Sequence, residues 1–310
     1  MHNPKSGTDT FGRDALCAAV EQAGHQATYY STDAIDVVKE LDTDLIAAAG
    51  GDGTVGKVMK AVAETRNAPV TILPLGTANN IARSLGIVGK VETLIGRWGA
   101  SSRHPFFLPS VKMKRKTALF VEGFGLGVFP EIVHDLKKAR AKSGLPKEET
   151  EQEILELLLE EARTLEPIEI DVKMDGVNAS GAYLLFEVMN IRSVGPNLLL
   201  STTPIPTAPR FEIAMIGEDQ RDQFVQYLEG RLRGENRPPD ISAHQCEKVR
   251  VRWTGGRRFH LDDRLRPRGT DEKPKESEIE MWFEGDWIEL LIPPAGERRG
   301  SAGSDIRQSS

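Results

Sequence analysis

Apolar and polar positions along the chain fall into two textures. In the first third, short apolar runs alternate with stretches whose apolar residues recur every three or four positions. Residues 11–23, FGRDALCAAVEQA, set Phe11, Leu16, Ala19, Val20 and Ala23 at helical spacing and stop at Gly24. HQATYYST then reads as a strand, DAIDVVKEL as a short helix and DLIAAAG at 44–50 as a buried strand. VGKVMKAVAETR reads as a helix, APVTILPLG at 68–76 as another apolar strand, and NNIARSLG opens a further helix. This alternation predicts a parallel sheet covered by helices on both faces.

After about residue 105 the runs shorten and alternate with period two. TALFVEGFG, EPIEIDVKMDG, GAYLLFEVMN, RFEIAMIG, EKVRVRW, RRFHLDD, SEIEMWFEG and DWIELLIP are rich in Val, Ile, Phe and Tyr and are bounded by Gly, Asp-Gly or Pro. They predict a mainly antiparallel β-rich domain, interrupted by helices at 150–164 and 221–232. The expected organisation is an α/β domain over 1–105, a β-rich domain over 106–293, and a polar tail over 294–310 with too little apolar surface to order.

Composition narrows the function. A formal charge of −6 over 310 residues argues against a nucleic-acid binder acting through bulk positive charge. Cys17 and Cys246 stand far apart, without metal or redox spacing, so neither a disulfide framework nor a zinc site is indicated and a reducing, cytoplasmic setting is expected. MHNPKSGTDT has no apolar leader, and no window reaches the roughly 20 apolar residues of a membrane span. Peripheral membrane contact needs only a patch and stays open.

Candidate chemistry begins at AAAGGDGTVGKV, 47–58, where an apolar strand turns through glycines into a helix. Such a junction leaves backbone N–H groups unpaired at the positive end of a helix dipole, which is where a phosphate binds. Glycine lets the backbone approach the anion closely. Thr54 suits a helix cap or a phosphate bond, and Asp52 beside a phosphate implies a cation, magnesium by its hard oxygen ligand. Gly51–Gly56 also fits the dinucleotide fingerprint G-x-G-x-x-G, and Gly51–Lys57 fits G-x-x-x-x-G-K with Val58 where Ser or Thr belongs. A glycine turn without a ligand is the remaining alternative. A second strand-to-helix loop, LPLGTANNIARSLG at 73–86, repeats the construction, with Asn79 or Asn80 near the helix cap. With NPKSG at 3–7, three polar loops would share one edge of a parallel sheet.

NPKSG, GGDGTV and LPLGTANNIARSLGI, with FVEGFGLG at 120–127 and EVMNIRSVGPNLLLSTTP at 187–204, resemble in order and spacing the elements of the diacylglycerol kinase catalytic-domain family. That family includes sphingosine kinases and soluble bacterial lipid kinases and is distantly similar to NAD kinases. The resemblance runs from Asn3 to about Pro293. It implies two domains with nucleotide in the cleft between them, magnesium-ATP as donor, and the hydroxyl of diacylglycerol or a related lipid as acceptor. By position, Asn3, Ser6, Thr32, Gly51, Asp52, Gly53, Thr54 and Thr77 correspond to nucleotide-binding residues, with Asp52 toward the metal.

The departures are specific. Asn79-Asn80 stands where the family has Asn-Asp, and Asp262-Asp263-Arg264 where it has Asp-Gly-Glu, whose Glu is the usual proton acceptor in bacterial members. Arginine takes no proton at neutral pH. Asp262 is therefore the first candidate base and Asp263 the second. If FHLDD is strand, side chains two apart share a face, so one aspartate of the two reaches the cleft. The lost carboxylates also motivate a second expectation, a nucleotide- and lipid-binding protein impaired in catalysis. KMKRK at 112–116, KKARAK at 137–142 and RLRPR at 264–268 are candidate contacts with anionic head groups at a membrane surface, and EQEILELLLEEA is expected to pack on the core. A homodimer is left open.

Overall fold

The computed structural model describes residues 1–4, 11–143, 150–201, 208–235, 237–239, 241, 243–266 and 276–294. Its first sheet carries helix α1 (Arg13–Gln22), strand β1 (Ile46–Gly50), helix α2 (Asp52–Thr65), strand β2 (Val70–Pro74), short helices α3 (Asn80–Ser84) and α4 (Val91–Ile95), and strand β3 (Ser102–Phe107). β1 and β2 are parallel, as the alternation predicts. The order in the sheet is β1, β2, Trp287–Ile292, β3. Trp287–Ile292 runs parallel to β2 and antiparallel to β3. The chain's last described strand, read from sequence as part of the second domain, thus closes the first sheet. Its buried Ile288, Leu290 and Ile292 join the core of β1, β2 and α2, which is a more complete burial than an exposed hairpin edge offers.

HQATYYST differs from expectation. Among the described residues, residues 25–30 pair with no strand; His2 bridges Ser31 and Ala49 and donates its N–H to the Tyr30 carbonyl. A strand needs a neighbour along its whole length to be paired, and here one residue supplies it. DAIDVVKEL forms a kinked 3₁₀ stretch, Thr32–Glu40, entered through Ser31, whose hydroxyl accepts from Asp33 N–H.

The second unit is a strongly curved sheet of twelve strands in which all the described pairings are antiparallel. Strands β4 (Ser110–Met113) and β5 (Lys116–Leu119) form a hairpin at one end, followed by β6 (Gly123–Gly127). From the other end the order is Arg264–Arg266, Phe259–Leu261, β6, Gly181–Met189, Ile168–Met174, Lys248–Thr254, Glu276–Trp282, β4, β5. Three residues, Phe120, Val121 and Glu122, separate β5 from β6, so the sheet curls until its β5 end lies near β6, the third strand from the other end. Alternation sorts the faces. Phe124, Phe186, Val188, Val251, Trp253 and Phe259 fill the concave core, with Trp253 and Phe259 edge to face at 5.3 Å. Helices α5 (Val128–Ser143), α6 (Glu151–Thr164) and α7 (Arg221–Leu232) cover the other face. α6 is the core-packing helix expected, burying Leu155, Leu158 and Ala162 behind a Thr150–Glu153 capping box. The tail from 295 on lies outside the described residues.

Candidate active site

The polar loops do share a rim. Gly50 pairs with Pro74 at the ends of β1 and β2, so both strands stop together. Their loops touch through glycine: a Cβ on Gly51 would stand 3.2 Å from the Gly76 Cα, and a Cβ on Gly76 would overlap the Gly51 Cα. Asn3 N–H donates to the Ala49 carbonyl, and Thr32 N–H to His2, which places both at the same strand ends. Asn3, Thr32, Gly51–Thr54 and Thr77 therefore line one edge, where Thr77 is exposed and Thr32 buried. Ser6 lies outside the described residues. The N-cap residue of α2 is Gly51, which has no side chain with which to bond the helix's first N–H groups. Thr54, offered by the sequence as cap or phosphate ligand, is buried instead against the Gly50 backbone, where a Cβ would come within 2.6 Å of its own Cβ.

Asp52 has a task the sequence reading missed. Its two oxygens accept from Asn80 N–H and Ile81 N–H, both at 2.9 Å, and so cap α3 from a different element. The expected cap, Asn79, sits in the left-handed region at φ 52° and accepts from Gly76 N–H at 2.9 Å, which braces the loop. Burial raises the Asp52 pKa, the Ile81 and Asn80 amides work against that, and the Asp263 charge adds to the rise. The net shift is upward.

Asp262 and Asp263 form the two-residue turn between Phe259–Leu261 and Arg264–Arg266. Asp262 adopts φ 51°, so strand alternation stops there and the expectation that only one aspartate reaches the first domain fails. Asp262 Oδ1 accepts from Val121 and Glu122 N–H at 2.8 Å each, and Oδ2 meets Lys60 Nζ of α2 at 2.8 Å. Asp263 Oδ2 lies 2.7 Å from where a Gly53 Cβ would be. Both aspartates thus dock on α2, but differently. Asp262 is committed to three donors and pins the turn, whereas the Asp263 side chain is 46% exposed at the loop, with Arg264 Nε at 3.4 Å.

Glu122 is the group that sequence reading passed over, although a lone acid in the apolar run FVEGFGLG was its signal. Burial, then the charges of Asp52, Asp262 and Asp263, push its pKa well up against the opposing pull of Lys60. Four carboxylates thus crowd one lysine, an arrangement that a divalent cation relieves. Among the described residues no set of three or more His, Cys, Asp or Glu is arranged as a metal cage. The site also has a basic outlier. The β4–β5 hairpin, whose base leads into Glu122, exposes Lys112, Lys114, Arg115 and Lys116 toward its tip. The KKARAK side chains and the end of RLRPR lie outside the described residues.

Comparison with known proteins agrees with the motifs. Residues 1–107 match the family model described as the diacylglycerol kinase catalytic domain. A diacylglycerol kinase of Bacillus subtilis (strain 168) is 27% identical over 278 residues, covering 84% of this chain and 88% of that protein. One from Staphylococcus epidermidis is 36% identical over 110 residues, 31% of this chain and 34% of its own length. A crystal structure of a diacylglycerol kinase from Bacillus anthracis str. Sterne superposes with a TM-score of 0.67 over 95% of this chain and 96% of that one, at 18% identity, which speaks to the fold. Among the described residues no helix is long and apolar enough to cross a membrane.

Proposed function

For a chain whose first 107 residues match the diacylglycerol kinase catalytic domain, we propose a lipid kinase that transfers the γ-phosphate of ATP to the hydroxyl of diacylglycerol or a related lipid. The observation that carries this reading is the backbone-to-backbone contact of the two rim loops, Gly51 against Gly76, at the N-terminus of α2, an approach that a Cβ on Gly76 would block. Asn3, the Gly51–Gly53 backbone and Thr77 bind the polyphosphate there, since phosphoryl transfer asks mainly for positioning and charge neutralisation. Asp52 and Glu122 would hold magnesium, which supplies neutralisation of the phosphate oxygens.

In the reaction proposed, the lipid hydroxyl oxygen bonds to the γ-phosphorus while the β–γ bridging P–O bond breaks and its electron pair leaves with ADP. The hydroxyl proton passes to Asp263. We assign it there rather than to Asp262 because the Asp262 oxygens are held by Val121, Glu122 and Lys60, while Asp263 stands over the loop with open access. The exposed basic hairpin supports a peripheral approach to an anionic lipid surface, at roughly 1 kcal/mol per cation near the head groups.

The direct test is mass spectrometry of lipids after incubation of the protein with magnesium-ATP and mixed vesicles. A phosphorylated neutral lipid alcohol is expected. Calorimetric binding of ATP with no phosphorylated lipid from any acceptor would refute the reading.

A further inference from the structure

One buried ionisable pair has no part in that chemistry. Glu187, near the C-terminal end of Gly181–Met189, is fully buried, and its two oxygens lie 2.9 and 3.0 Å from His260 Nε2. The strands bearing them are not neighbours, because β6 runs between, with Gly125 in register with both residues. The pair closes directly over that glycine. A Cβ on Gly125 would overlap both the Glu187 carboxylate and the His260 ring. The row lies on the helix-covered face, where the Phe129 ring stands edge-on to His260 at 6.4 Å. On its other side, His260 Nδ1 lies 3.2 Å from the Asp262 carbonyl. A carbonyl only accepts, so Nδ1 is the donor there and carries a proton.

Burying such a pair is costly, and apolar replacements of similar size are often as stable or more so. Stability alone is therefore a poor account of it. Its geometry offers another: the imidazole is anchored at one nitrogen in the interior and grips, with the other, the backbone of the turn that crosses to α2. We infer that His260 and Glu187 are positioning residues, which hold the Asp262–Asp263 turn so that Asp262 meets Lys60 and Asp263 stays over Gly53. Neither touches substrate. The consequence for turnover rests on the lipid kinase reading; the consequence for the turn does not.

The experiment compares the full wild-type chain with Glu187→Gln, His260→Asn and the double variant Glu187→Leu/His260→Leu. Amide exchange at Val121 and Glu122, which donate to Asp262, reads the turn without any need for activity. In the double variant exchange at those two amides should quicken about ten-fold or more while β1 amides hold their rates, since local opening is read residue by residue. Asparagine retains a donor for the Asp262 carbonyl, so His260→Asn should keep most of the protection. With magnesium-ATP and lipid, kcat should fall about ten- to a hundred-fold in the double variant while KM for ATP changes little, the mark of a misplaced group rather than lost binding. Glu187→Gln, whose amide can still donate to Nε2, should keep most of the protection; if the double variant does not fold, the single variant Glu187→Leu carries the same two measurements. Unchanged exchange at Val121 and Glu122 overturns the inference, as does quickened exchange spread over the whole chain, or a full kcat in a variant whose turn has loosened. Loosening of the turn in a protein whose wild type phosphorylates no lipid would uphold the positioning role and refute the kinase reading alone.

Discussion

Gly76→Ala probes the point on which the nucleotide cradle depends. The added methyl would meet the Asn79 Oδ1 at 3.0 Å and the Gly51 N at 3.2 Å, and it would overlap the Gly51 Cα. Ordinary carbon contacts sit near 3.5–4.0 Å, so the two loops must part by about an ångström. Overpacking of this kind costs about 1–3 kcal/mol. At about 2–4 °C per kcal/mol for a chain somewhat smaller than this one, Tm should fall by roughly 2–10 °C. The larger effect is on the ligand. If an ångström of misplacement weakens ATP about 100-fold, protection at an ATP concentration of 100 times the wild-type Kd drops from about 2.7 to about 0.4 kcal/mol. Thermal unfolding with and without magnesium-ATP measures both quantities. Gly99→Ala is the control, because Gly99 is exposed, a Cβ there meets nothing within 4 Å and its φ lies outside the left-handed region; its Tm should not fall and its ATP protection should stay at the wild-type value. Gly76→Ala with wild-type Tm and undiminished ATP protection would show that the loops do not form the phosphate cradle.

Three further outcomes follow from the same geometry. Asp263→Asn should lower kcat by about 100-fold or more with Tm unchanged, whereas Asp262→Asn should lower Tm as well, since it weakens a charge-assisted contact to Lys60 and two amide bonds; equal Tm in the two variants would contradict the separate roles. Lys60→Met should destabilise the protein by about 1–3 kcal/mol in denaturant titration, because Asp262 is then left largely buried without its counter-charge; an unaltered midpoint would mean that the ion pair contributes nothing to docking. The pKa values of Glu122 and Asp52 are raised on folding, so the folded state binds their protons more tightly and their contribution is most favourable below the ordinary carboxylate range. It is lost as pH rises through the raised values, so Tm should decline as pH rises above the ordinary carboxylate range. Glu122→Gln should flatten that decline and magnesium should partly reverse it in the wild type; a wild-type slope retained by Glu122→Gln would remove Glu122 from the cluster.

The sequence by itself determined the parallel pairing of β1 with β2, the antiparallel character of the second unit and the meeting of the glycine loops at one rim. These are local or nearest-neighbour consequences: apolar runs pair in parallel when helices join them, and strands that pair in register end together. The diacylglycerol kinase resemblance was legible for the same reason, since its motifs are contiguous stretches. What only the tertiary structure decided involves partners far apart in the chain. Asp52 caps a helix 28 residues on, Asp262 reaches Lys60 across 202 residues, and Trp287–Ile292 returns to the first sheet. Nor could the pattern FHLDD say where the strand stops; a positive φ at Asp262 ended the alternation and sent both aspartates to α2. Glu122 was hidden likewise, because its character comes from Asp52, Asp262 and Asp263, and a charge is perturbed by what surrounds it in space rather than by its neighbours in sequence.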